Sequence, residues 1–173
     1  MSELGSKERV KQSPSLKARA LRLLSLREYS RKGLAAKLAE SEARWAKLGS
    51  EQADQTPEST QSKIEAVLDD FEGRGWLSDE RFAEALVRRR SERYGTRKIH
   101  GELERAGIHA AQSSKLLQSL KETEYQRAYE LWQRKYGVKA EDQKERARQY
   151  RFLASKGFSS EVVAKIIGGH QPD

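Results

Sequence analysis

The chain has 173 residues, 36 % of them hydrophobic and 35 % charged, with 3 prolines and no cysteine. That length fits one large domain or a short array of small units. The missing cysteines exclude disulfides and thiolate metal sites, and no apolar run approaches the ~18 residues of a membrane span.

Residues 1–14 are polar and predict a disordered start. They lack the apolar segment of a secretion signal, which with the absent cysteines points to a reducing cytoplasm. From Leu16 to Tyr29, Ala20, Leu23 and Leu24 fall at helical spacing. Ser30 is placed as an N-cap for a second helix, Arg31 to about Lys47. Residues 49–62 hold Ser, Gln, Thr, Pro57 and acids without periodicity, and read as an exposed insertion. A third helix is predicted from Lys63 to about Gly73, stopped by Gly73 and Gly75.

Ser78 or Asp79 caps the next helix, Arg81 to Tyr94, whose Phe82, Ala83, Leu86 and Val87 point inward. Gly95 and Thr96 break it. Arg97 to Ala106 follows, stopped by Gly107, and then His109 or Ala110 to Lys121. The remainder reads as helices Glu124–Tyr136, Asp142–Ser155 and Ser160–Ile167, with a stop at Gly157 and a cap at Ser159 or Ser160. No segment alternates as a strand would.

One pattern repeats without a gap. Leu103-x3-Gly107-Ile108-x7-Leu116-Leu117 returns fifty positions later as Leu153-x3-Gly157-Phe158-x7-Ile166-Ile167. An interrupted third copy lies upstream, where Leu34 and Leu38 end one helix and Ile64, Val67 and Leu68 supply the next. Between Leu38 and Ile64 that copy has 16 residues more than Leu153 to Val163, which is the insertion. Self-similarity at this period means stacked helical units, and stacked units offer an extended surface rather than a deep pocket. The expected organisation is a disordered segment 1–14, units 15–73 (with the insertion at about 49–62), 74–122 and 123–168, and a tail 169–173.

The net charge of +8 draws the chain toward polyanions without naming one. Its distribution says more. Residues 51–80 carry nine acids against Lys63 and Arg74, whereas 86–99 carry Arg88, Arg89, Arg90, Arg93, Arg97 and Lys98 against Glu92 alone. At 100° per residue, Arg81, Glu84, Arg88 and Glu92 form a row of alternating sign that reads as a solvated, self-paired face. Arg89 and Arg93 sit at the edge of the apolar arc, with Arg97 and Lys98 just past the turn. These four are the candidate contacts for phosphate or a carboxylate-rich protein surface. Arg90 points into the arc and reads as structural, its stem buried and its head paired with an acid or a carbonyl. Gly95, Gly107 and Gly157 are structural as helix stops.

Catalysis finds no support. His100, His109 and His170 are isolated, with no metal-ligand spacing. Asp69 and Asp70 diverge by 100° on a helix and cannot act on one atom. No glycine loop could cradle a phosphate, so neither an enzyme nor a cofactor is expected. The aromatics Trp76, Tyr94, Tyr129, Trp132, Tyr136, Tyr150 and Phe158 could stack on bases, but at helix ends they read first as core.

The run Gly75-Trp76-Leu77-Ser78-Asp79-Glu80-Arg81-Phe82-Ala83, then Arg89, Tyr94-Gly95, Arg97-Lys98-Ile99, Glu102-Leu103 and Gly107-Ile108, closely resembles the central signature of the RecX family, regulators of the RecA recombinase. Ala20-Leu21-x2-Leu24-x2-Arg27-x2-Ser30-x3-Leu34-x3-Leu38 resembles that family's first repeat, and Arg151-Phe152-Leu153-x3-Gly157-Phe158 its third. The resemblance spans roughly residues 16–168. Two positions depart from it. Gly33 replaces an acid that would complete a capping box, which predicts a weaker second helix. Thr96 replaces the proline after the Tyr-Gly pair and is expected to cap in its place.

The resemblance implies an all-α protein of three tandem three-helix repeats forming a curved, elongated body. It implies a monomer that binds the RecA–DNA filament and opposes its growth and ATP hydrolysis, with single- or double-stranded DNA as a further partner and no membrane. Two other classes stay open: a helix-turn-helix-like protein acting directly on DNA through the 81–106 helices, and a scaffold with no link to nucleic acid.

Overall fold

A computed structural model describes residues 14–47, 56–170 and 172. Among them are nine α-helices and no strand: α1 (Leu16–Leu26), α2 (Arg31–Lys47), α3 (Pro57–Gly73), α4 (Asp79–Arg90), α5 (Thr96–Arg105), α6 (Ala110–Glu122), α7 (Glu124–Lys135), α8 (Gln143–Ser155) and α9 (Ser160–Ile167). They form two compact bodies. The smaller holds α1, α3 and α2 from Gly33 on, up to Leu77; the larger holds Glu28–Lys32 and the chain from Ser78.

In the smaller body Ala20, Leu34, Leu38, Ile64, Val67, Leu68 and Phe71 are buried. On α3 those four fall at i, i+3, i+4 and i+7, the spacing of one helical face. Asp70 joins the first and third helices by accepting from Lys17 Nζ at 2.9 Å, and it also accepts from Arg74 Nε at 2.8 Å. Both cations hold its carboxyl below the ordinary value of 3.8, the hydrogen bond from Lys17 first and that from Arg74 next.

Helix α3 starts six residues earlier than its apolar period. Thr56 accepts from the Ser59 N–H at 3.2 Å, and Pro57 and Glu58 fill the first turn. This Thr-Pro-Glu start is favourable for a helix, but its first turns carry no apolar residue, so periodicity could not see them. The stretch read as an exposed, aperiodic insertion, 49–62, is therefore helical from Pro57 on, and 49–55 lies outside the described residues. So do residues 1–13 of the expected disordered start. Other ends move by a turn or less: α1 stops at Leu26 because Arg27 is fully extended, and α4 stops at Arg90 rather than Tyr94.

The larger body has two apolar clusters, one for each copy of the ungapped repeat. Ala83, Leu86, Ile99, Leu103, Ile108 and Leu120 build the first. Ala128, Trp132, Leu153, Phe158, Val163, Ile166 and Ile167 build the second. Gly107 and Gly157 end corresponding helices with φ of 86° and 87°, and each N–H bonds three residues back at 3.0 Å. A side chain at that φ is strained, which is why glycine stands at both stops.

Two helix starts in the larger body borrow their caps. The Arg31 N–H, first in α2, donates to Asp79 Oδ1, first in α4, at 2.7 Å. The Thr96 N–H, first in α5, donates to Glu124 Oε1, first in α7, at 2.8 Å. An acid opening one unit thus caps the middle helix of the unit before it, where the helix dipole also favours negative charge. The first N–H of α2 is thereby satisfied, although Gly33 leaves that helix without an acid of its own in its first turn. Thr96 does not cap with its own side chain; its Oγ1 is buried and finds no hydrogen-bond partner among the described residues. A proline there would present no N–H, whereas threonine brings one and Glu124 accepts it. Helix α8 differs: its cap is its own Asp142, which accepts from the Glu145 N–H at 2.7 Å.

Candidate partner-binding surface

The surface begins at the C-terminal end of α4, where Arg88, Arg89 and Arg90 occupy the last turn and complement the negative end of the helix. The three go different ways. Arg90 folds back, its Nε 3.0 Å from Glu102 Oε2 and its guanidinium 5.3 Å over the Tyr94 ring. Arg88 and Arg89 are exposed, as is Arg93 in the following turn. None of these three side chains has an ion-pair partner among the described residues.

The row of alternating charge does not pair with itself. Arg81 Nε reaches Glu28 Oε1 at 2.9 Å instead, and Glu84, Arg88 and Glu92 form no side-chain ion pair among the described residues. An exposed pair at this spacing is worth only a few tenths of a kcal/mol, too little to fix two long side chains.

What fixes the turn is α7. Arg127 Nη1 donates to the Ser91 and Tyr94 carbonyls at 2.7 and 2.8 Å, and its Nη2 donates to the Leu120 carbonyl at 2.8 Å. Arg134, two turns along the same face, donates to the Glu92 carbonyl at 3.2 Å. One guanidinium thus satisfies carbonyls from the ends of α4 and α6 that no helix could satisfy. Burial pushes the Arg127 guanidinium down from its ordinary value, and the buried Glu124 carboxylate opposes that shift.

Gly95 closes the turn by close approach rather than by a left-handed backbone. Its φ is −75°, and its N–H donates to the Lys156 carbonyl at 2.9 Å. A Cβ here would run into the Gly157 carbonyl and the Phe158 nitrogen, while one at Gly157 would meet Lys98. Two glycines from different units thus let two backbones touch.

This junction decides where the other two candidate cations go. Arg97 Nη2 lies 3.4 Å from the Ala154 carbonyl. Lys98 Nζ stands 4.4 Å over the Tyr94 ring, with Lys156 Nζ 5.4 Å from the same ring. Lys156 and Lys135 continue over Phe152 at 5.5 and 3.8 Å, and Tyr136 packs edge-on to Phe152. The four candidates therefore divide: Arg89 and Arg93 project without intramolecular partners among the described residues, whereas Arg97 and Lys98 already touch a carbonyl and a ring.

Arg127, Glu124, Arg134 and Lys156 escaped the sequence reading. The one available signal was that Arg127 and Arg134 stand seven residues apart on one face of α7. Their partners are backbone carbonyls, which leave no mark in a sequence. Among the described residues no group of three His, Cys, Asp or Glu could hold a metal ion. No helix among them is long and apolar enough to cross a membrane.

Three-helix units in tandem, satisfied at their junctions and carrying outward arginines without ion-pair partners among the described residues, define a helical-repeat protein. "RecX, second three-helix domain" matches residues 78–117, and "RecX, third three-helix domain" matches residues 122–167. The regulatory protein RecX of Leptothrix cholodnii is 43 % identical over 153 residues, covering 88 % of this chain and 87 % of that protein. That of Herminiimonas arsenicoxydans is 42 % identical over 149 residues, with coverage of 86 % and 88 %. The crystal structure of RecX from Lactobacillus salivarius shares the fold with a TM-score of 0.64 at 19 % identity, over 88 % of this chain and 92 % of that one. The chain belongs to the RecX family of regulatory proteins.

Proposed function

We propose that this protein regulates the RecA recombinase by binding the RecA–DNA filament in the cytoplasm, opposing filament growth and ATP hydrolysis. It acts as a monomer and without a cofactor, in DNA repair, homologous recombination and the SOS response. The observation that carries the reading is the exposure of Arg89 and Arg93, without intramolecular partners among the described residues, in a member of this family. Recognition is ionic, by guanidinium groups aimed at phosphate or clustered carboxylates. A direct test measures binding to RecA filaments on single-stranded DNA with an ATP analogue, to bare single-stranded DNA and to bare duplex, all at one salt concentration. Tighter binding to the filament than to either DNA, with slower hydrolysis when ATP replaces the analogue, supports the reading. Equal binding to bare DNA sinks it.

That last outcome would favour a second reading, direct DNA binding. Its support is the sequence of rings Tyr94, Phe152 and Tyr136 interleaved with Lys98, Lys156 and Lys135, a pattern suited to single strands. Against it, these lysines already lie over the rings on which bases would stack.

A further inference from the structure

The repeat places two cavities at equivalent positions. One, of about 520 Å³, lies between α5 and α6 and is lined by Thr96, Arg97, His100 and Leu117. The other, of about 450 Å³, lies between α8 and α9 and is lined by Arg146, Ala147, Tyr150 and Ile167. Each residue of the second set stands fifty positions after its counterpart, the offset of the sequence repeat.

Their coverings differ. The third unit reaches the α5–α6 cavity with Ser159 and with Glu124, whose carboxylate holds the Thr96 N–H. No described residue covers the α8–α9 cavity in that way. Tyr150 on its wall is 37 % exposed. The exposed Arg146 side chain has no polar partner among the described residues. The neighbouring charges are engaged: Lys139 Nζ donates to the Gly168 carbonyl at 3.0 Å, Asp142 caps α8, and Glu145 pairs with Arg148 at 3.4 Å.

We propose that the α8–α9 face, centred on Arg146 and Tyr150, is an interaction surface for an acidic helix start on a partner protein. A carboxylate there would pair with Arg146, in the place that Glu124 takes one unit earlier, and the apolar part of the same helix would cover Tyr150, Ala147 and Ala164. A second copy of this chain, offering the helix that opens any of its units, fits poorly. Its first helix opens with Leu16 and Lys17 and has no acid in its first turn. Asp79 and Glu124, which open its other two units, are already engaged within the chain.

The identity of the partner rests on the functional reading above, so the probe is RecA filament assembled on single-stranded DNA with an ATP analogue. Arg146→Glu combined with Tyr150→Ala is expected to weaken binding at least tenfold. Arg146→Glu alone, at an exposed side chain, should also weaken it with circular dichroism and melting unchanged, whereas Tyr150→Ala removes some packing as well, since its ring is 37 % exposed. Arg146→Lys should retain most of the affinity. Zero-length carbodiimide coupling should then join the new amine to an aspartate or glutamate of RecA, forming an amide with loss of water. Unchanged affinity of the double variant while the wild type binds would overturn the surface alone. So would coupling of position 146 to another copy of this chain, or an equal loss in binding to single-stranded DNA without RecA. Failure of the wild type to bind filaments would overturn the functional reading and this assignment with it.

Discussion

Arg89 and Arg93 stand one turn apart and differ from their neighbours in having nothing to give up on binding. Changing both to Glu is expected to reduce filament affinity at least tenfold, ~1.4 kcal/mol. The salt dependence should become shallower, as lost phosphate or carboxylate contacts require. Arg88→Glu should do less, because it points about 100° away around the helix. Arg90→Glu is a different experiment: it breaks the Glu102 pair and leaves two carboxylates facing each other, so it should lower the melting temperature first. Affinity at two salt concentrations, with melting curves, separates the three. Gly95 gives a second test at this scale. Gly95→Ala drives a methyl into backbone of the next unit and should destabilise by about 1–3 kcal/mol. Gly101→Ala, inside α5 with its nearest obstacle the flexible end of Arg105 at 3.7 Å, should stabilise by roughly 0.5–1 kcal/mol. Urea unfolding of both reads the contrast, and equal effects would refute the close-approach role. The sequence identified Gly95 as necessary but for another reason, because a glycine that admits a distant backbone looks like one that stops a helix.

Elements were legible where apolar period and caps agree. Helix α9 was readable to the residue, and Ser159 accepts from the Val162 N–H at 3.4 Å as a cap should. Legibility failed where one signal acted alone. The start of α3 is written in Thr56 and Pro57 but not in any apolar residue, and the turn after α4 is held by arginines of α7 that donate to its carbonyls. The tie between α1 and α3 is likewise electrostatic, and it predicts a pH response. Asp70 has a lowered pKa in the fold, so its pairing with Lys17 and Arg74 stabilises above the ordinary 3.8 and is lost as pH falls through the lowered value. The urea midpoint should begin to drop as pH falls toward 3.8 and go on dropping below it, and the drop should be smaller in Asp70→Asn. An identical drop in both would remove Asp70 from the account.

At the scale of the molecule, the units are not independent. The third supplies Glu124 to the α5 start and Arg127 to the turn that carries Arg93. Removing 123–173 should therefore do more than shorten a surface. The 1–122 fragment is expected to show faster hydrogen exchange at 91–97 and a severe loss of filament inhibition. Full inhibition by a soluble 1–122 fragment would contradict this. Tandem units were visible in the sequence because apolar spacing and glycine stops recur together. Their junctions were not, since they are made of backbone carbonyls, one N–H per helix start and two glycines in contact.

The borrowed caps also set a timetable. A ribosome releases this chain from its N-terminus, so Arg31 emerges well before Asp79, and Thr96 before Glu124. Until each acid arrives, the helix start behind it holds an unanswered N–H and frays. Folding of the middle helix of one unit thus waits on synthesis of the next, and the nascent chain should settle in steps rather than at once. The start of helix α8, capped by its own Asp142, waits for no downstream acid.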